Sequence, residues 1–344
     1  MGKPRFPSSL LASCFCEGRV RATSLSVDRS EAFVIRILLE VLLPVALVAG
    51  AGLALRRRMT LDQVTLNRVV IYGLSPALIF TSLVTTDLSG AGALRMLALA
   101  LGVLLAMGLI SWATGRLLGL RGGSLSALVL VSAFMNSGNY GLPAARFAFG
   151  QEGLSLALFY FIVQAITGQT VGVAVGAAGN ARSGHGLPLE VTRRVLRMPQ
   201  VYATAAALLA RAAGFDPTVS GGAILGLFRG VTLLGEATLP MMLIVLGTQL
   251  AGGITREDPW LVGLACALRL VVSPLVAYGL GLMLGLQEMG LAVGVMLSGM
   301  PAAVHTTITA IEFQARPSLV VAVVVASSAL SLVSLAVLLA LLSG

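Results

Sequence analysis

At 344 residues, 57% of them hydrophobic and 11% charged, the chain carries more apolar surface than a soluble core can bury, and a mean hydropathy of +0.95 marks a polytopic membrane protein. The formal charge of +9 is almost wholly arginine, with Lys3 the sole lysine; arginines scattered through short loops follow the cytoplasmic-positive bias of membrane proteins, and no nucleic-acid partner is expected. Cys14, Cys16 and Cys266 form no metal-ligand array, and there is no His-Glu-x-x-His zinc motif or Gly-Lys-Ser/Thr phosphate loop, so neither an enzyme nor an ATP-driven pump is expected, and no cofactor.

Residues 1–31 are polar, basic and aperiodic, which predicts a disordered tail or a stretch outside the native protein. Ten apolar segments follow, each near the ~20 residues that span hydrocarbon. They are 32–55, 64–85, 93–118, 122–149, 153–178, 199–213, 223–250, 259–284, 288–311 and 318–342. The loops after the odd-numbered segments hold Arg56, Arg57 and Arg58, then Arg116 and Arg121, then Arg182, Arg193, Arg194 and Arg197, then Arg256 and Arg316. That bias makes these loops cytoplasmic and puts both termini outside. Residues 179–198, with Asn180, Gly184, His185 and Pro188, read as a solvated cytoplasmic linker between a first five-helix repeat (32–178) and a second (199–344). An odd number of helices in each half inserts the second half in the opposite sense, so the expected architecture is all-α, with ten transmembrane helices in a five-plus-five inverted repeat.

The fourth segment is interrupted by Asn136-Ser137-Gly138-Asn139-Tyr140-Gly141-Leu142-Pro143. Proline removes a backbone donor and clashes with the preceding turn, and the glycines admit angles that other residues resist. The helix is expected to break near Asn136 and restart at Pro143. Taken alone, this is either a kinked structural helix or the wall of a wet cavity, because non-helical backbone at membrane depth needs protein or water beside it. The ninth segment has a matching interruption, Gly299-Met300-Pro301-Ala302-Ala303-Val304-His305-Thr306-Thr307, with its second half expected to start near Pro301. Corresponding breaks in two halves point to a midplane binding site between broken helices four and nine. Half-helix N-termini there favour an anion. His305 is a candidate for proton coupling or carboxylate contact, and equally a neutral histidine bonded to a freed carbonyl. Glu236 in the seventh segment is a candidate proton carrier, and Arg269 in the eighth a structural or interfacial arginine.

The Asn136 to Pro143 motif with Phe147-Ala148-Phe149-Gly150 resembles the fourth-helix motif of the auxin efflux carrier family, especially its bacterial malonate and malate permease-like members. Ser75-Pro76-Ala77-Leu78-Ile79-Phe80, Ala237-Thr238-Leu239-Pro240 with Leu246-Gly247, and Met300-Pro301-Ala302-Ala303 agree with it in order. The resemblance implies a secondary carrier with a scaffold domain and a transport domain whose broken helices four and nine cross, Asn136 in the place of the substrate-contacting asparagine, and Pro143 and Pro301 at the crossing. His305 departs from the family, where asparagine is common. The expected site is Asn136, Ser137, Gly138, Asn139, Gly141, Pro143, Pro301, His305, Thr306 and Thr307, with Glu236 and His305 as ion-coupling candidates. The expected function is alternating-access transport of a small organic anion, a mono- or dicarboxylate, across the cytoplasmic membrane. Proton coupling, sodium coupling and a homodimer are all compatible with the resemblance. The alternatives are a bile-acid/sodium symporter-like carrier and a membrane sensor that binds the anion without moving it.

Overall fold

A computed structural model describes residues 38–86, 90–179, 192–193, 195–215, 217, 221–250, 257–286 and 288–342. The expected tail, residues 180–191 and 194 of the expected linker, and Arg256 lie outside the described residues. The helices, in chain order, are α1 (Leu39–Arg58), α2 (Gln63–Thr85), α3 (Gly90–Leu117), α4 (Gly122–Ala133), α5 (Ser137–Ala178), α6 (Pro199–Ala212), α7 (Gly222–Leu250), α8 (Pro259–Met283), α9 (Glu288–Ser298), α10 (His305–Glu312) and α11 (Pro317–Leu342). Seven of them, α1, α2, α3, α5, α7, α8 and α11, are long and apolar enough to cross a membrane. The described residues form the all-helical bundle of a multi-pass membrane protein. α5 runs for 42 residues, about twice what a bilayer needs. Gly150, at φ 68° and ψ −155°, bends it into two legs between the segments expected to end at 149 and begin at 153.

Several prolines shape the helices from inside. Pro44, Pro76, Pro143 and Pro274 each stand two residues after the end of a π turn, at Leu38–Leu42, Val69–Leu74, Ser137–Gly141 and Leu268–Val272. The missing amide and the ring's demand for space are relieved by widening the preceding turn instead of breaking the helix. At the start of α2, Asp62 accepts hydrogen bonds from Val64 N at 3.0 Å and Thr65 N at 3.3 Å, and at the start of α8 Asp258 accepts from Trp260 N at 3.1 Å. Such caps satisfy amides that have no partner in the first turn.

The helices pack as two groups. α1, α2, α6 and α7 form one, in which α1 and α7 touch backbone to backbone: a Cβ on Gly52 would lie 2.2 Å from Ile244 O, and one on Gly247 1.8 Å from Ala49 O. α3, α4, α5, α8, α9, α10 and α11 form the other, around fully buried Met96, Leu99, Met107, Leu128, Leu130 and Leu297. The arginine-bearing ends gather on one face, where Arg316 pairs with Glu257 at 2.7 Å and reaches Ser124 at 3.3 Å, and Gln63 donates to Thr248 O at 2.7 Å. The described ends of the chain, near Leu39 and Leu341, meet on the opposite face. There the two groups are tied by Thr86 Oγ1 to Ser155 Oγ at 2.7 Å and by Gln151 Nε2 donating to Ser82 Oγ at 3.3 Å.

Candidate functional site

α4 stops at Ala133 because Phe134 (φ −103°, ψ 120°) and Asn136 (φ −77°, ψ 61°) leave the helical region. α9 stops at Ser298, and the two freed strands of backbone cross antiparallel with Met135 facing Ala302. Asn136 N donates to Pro301 O at 2.8 Å, Ala303 N to Phe134 O at 3.0 Å, and Ala302 N to Ser327 Oγ at 3.1 Å. The crossing thus satisfies the main-chain groups that the breaks expose, as an apolar surrounding requires. The second halves restart away from the expected prolines. α5 begins at Ser137, with Gly141 N bonded to Asn136 O at 3.0 Å, because the π turn accommodates Pro143 one turn into the helix. α10 begins at His305, and Pro301, which has no amide to give, lends its carbonyl to the crossing.

Beside the crossing lies a cavity of about 430 Å3, walled by both helix groups, with exposed Arg197 among its lining residues. Of the residues expected from sequence, Asn136, Ser137, Gly138, Asn139 and His305 line it. Gly141, Pro143, Pro301, Thr306 and Thr307 do not. Gly141 instead packs where a Cβ would meet Leu297 Cδ2 at 2.7 Å, and Thr306 turns its hydroxyl to Ala303 O at 2.5 Å. Glu236 is exposed on the outer side of α7, away from the cavity. The structure adds Asn67 and Ser75 from α2, Gln164 and Gln169 from α5, Arg197, and Gln200 from α6.

Several polar atoms in this wall are buried and have no hydrogen-bond partner: Asn136 Nδ2, both amide atoms of Gln164, Gln200 Oε1 and His305 Nε2. Gln200 donates its amide protons to Ile71 O at 3.1 Å and Ser75 Oγ at 3.2 Å, which leaves its oxygen facing inward. Each unsatisfied buried group costs about 1–3 kcal/mol, so such a cluster is what a site awaiting a polar guest looks like. Among the described lining residues Arg197 carries the one formal charge and no carboxylate contributes. His305 is fixed edge-on to Phe134, with ring centroids 5.8 Å apart at 74°. Gly168 backs the ring so closely that a Cβ there would lie 2.8 Å from Nε2. Among the described residues no three His, Cys, Asp or Glu side chains cluster as metal ligands.

Residues 37–339 match the family described as membrane transport protein. Over 277 residues, 80% of this chain and 87% of the relative, it is 32% identical to an uncharacterized transporter of Methanothermobacter thermautotrophicus. A second uncharacterized transporter, from Methanocaldococcus jannaschii, is 25% identical over 275 residues, 79% of this chain and 87% of the relative. A helical bundle with two interrupted segments crossing beside a polar cavity accords with that match, and the chain belongs to the membrane transport protein family, the auxin efflux carriers, and is a membrane transporter.

Proposed function

We propose that the protein is a secondary carrier of a small organic anion, a mono- or dicarboxylate such as malonate or malate, working by alternating access. The observation that carries this reading is the convergence on one cavity of unpartnered polar atoms from both helix groups, with Arg197 at the mouth and no carboxylate in the wall. Asn136 Nδ2, the main chain at the start of α5 and the His305 ring contact the carboxylate, while Gln164 and Gln200 take its remaining polar groups. In this reading the cavity opens on the arginine-rich side, taken as cytoplasmic, and is shut on the other by the Thr86–Ser155 and Gln151–Ser82 bonds. Transport moves the α3–α5 and α8–α11 group against the other, breaking those bonds. The ten-span reading as repeats 32–178 and 199–344 joined by linker 179–198, with both termini outside, is supported by the bend at Gly150 and by the shared face of the described chain ends. A proton on His305 or a sodium ion is the candidate coupling ion, read from the dependence of flux on each gradient.

The test is uptake of radiolabelled malonate and malate by proteoliposomes, beside binding measured by thermal unfolding in detergent. Saturable uptake, competed by carboxylates and not by amines, is the expected result. Binding without flux identifies a sensor; neither binding nor flux for any carboxylate overturns the reading.

Homodimerisation through α7 is part of the same proposal. Gly226 and Gly230, four residues apart with open space around them, share its outward side with exposed Arg229 and Glu236. Small residues let membrane helices approach closely, and intramembrane charges call for partners. Cysteine at position 226 is expected to cross-link two copies in the membrane, and a purely monomeric product contradicts the dimer.

A further inference from the structure

The breaks expose carbonyls as well as amides. The first halves of the interrupted helices end at Ala133 and Ser298, and the partial negative charge of a helix C-terminus resides in its last, unbonded carbonyls. Both ends meet a single side chain. Arg269, fully buried on the π turn Leu268–Val272 of α8, donates from Nη1 to Ser132 O at 2.7 Å and from Nη2 to Ser298 O and Ser273 Oγ. Tyr160 OH, 2.9 Å from Ser298 Oγ, closes the same corner. No carboxylate among the described residues pairs with this guanidinium, so its counter-charge is the two carbonyl ends. A guanidinium stays protonated even when buried, and its planar fork of donors can serve two acceptors that an ammonium would serve singly.

We propose that Arg269 is a positioning residue: a built-in cation that joins the carbonyl ends of both interrupted helices and so holds the crossing from which Asn136 and His305 face the cavity. The three residues Phe134, Met135 and Asn136 lie between the Ala133 and Ser137 ends, and residues 299–304 between Ser298 and His305. Each free strand is tethered to Arg269 at one side and to its crossing partner at the other. Without that tether the like-charged ends repel, and the crossing loses its register before the rest of the bundle does. The consequence for transport rests on the carrier reading above; the effect on the crossing does not, and is measured without substrate.

The experiment compares purified, substrate-free wild type with R269A and R269K by hydrogen exchange. R269A is expected to speed exchange of the Asn136 and Ala303 amides about tenfold or more, an opening free energy change of about 1.4 kcal/mol, with α1 and α7 unchanged. Millimolar guanidinium, filling the vacated space, restores much of the protection to R269A and leaves wild type as it was. R269K falls between the two. Where malonate is a substrate, KM for the variants follows the same order. Wild-type exchange at the crossing in R269A, or a loss spread evenly over all helices that guanidinium does not rescue, overturns the proposal. If R269A yields no folded protein, wild-type exchange at the crossing in R269K does so.

Discussion

Asn136→Ala is the substitution with the clearest signature. The side chain is 6% exposed, its Nδ2 has no partner, and the main chain around it is held by the Asn136 N to Pro301 O bond, which the substitution leaves in place. Removing an unpartnered donor takes no hydrogen bond from the empty protein, so its stability should change by less than about 1 kcal/mol. A carboxylate that accepts from Nδ2 loses a charge-assisted bond, a contribution of about 1.5–3 kcal/mol. That corresponds to about 10- to 150-fold weaker binding. Initial uptake rates of radiolabelled malonate into proteoliposomes, fitted for KM, with thermal unfolding in parallel, measure both halves. A raised KM with an unchanged melting temperature is expected; unchanged KM would remove Asn136 from the site, and a collapse in melting temperature would make its role structural.

Gly168→Ala places a methyl against His305 Nε2, and moving the ring or the helix should cost about 1–3 kcal/mol or raise KM, as thermal unfolding and uptake will record; wild-type values for both would mean the ring is free to leave. Gly247→Ala drives a Cβ into the Ala49 carbonyl and should abolish stable protein, whereas Gly226→Ala, in open space, should melt like wild type; equal melting temperatures for the two contradict the close approach of α1 and α7. Removing the bonds across the closed face with Thr86→Val and Ser155→Ala should let a membrane-impermeant thiol reagent reach a cysteine at Ser137 from that side, where wild type with the same cysteine is protected. Glu257 is held below the ordinary carboxylate value of 4.5, first by the Ser318 hydroxyl and then by Arg316. A lowered folded pKa means stabilisation that is complete above the unfolded value and lost as pH falls through the folded one. Wild type should therefore melt above Glu257→Gln at neutral pH and converge with it in acid; a gap that persists at low pH refutes the ion pair's part.

The breaks were legible because Gly, Pro and Asn are out of place in an apolar run, and the partner break stood at the corresponding place in the second half. Helix limits were legible for the same reason: 64–85 and 259–284 fall within a residue of Gln63–Thr85 and Pro259–Met283. The restart points were not, since a π turn that makes room for Pro143 leaves no letter of its own in the sequence. Gln164 and Gln200 escaped because membership of the wall is decided by how two helix groups pack; the glutamines of two otherwise apolar runs, Gln164 and Gln169 in one and Gln200 at the start of the other, were the available signal. The partners of Arg269 escaped for a different reason. They are main-chain carbonyls, which every residue possesses and no composition reveals.

For the protein to be a carboxylate carrier, the carboxylate must occupy the cavity beside the crossing and be carried from there. A structure of the protein determined with malonate, at the concentration that half-saturates uptake, tests it directly. Density between Asn136, Gln164 and His305, touching the start of α5, is the expected result. An occupied site elsewhere in the bundle, with this cavity empty, would contradict it.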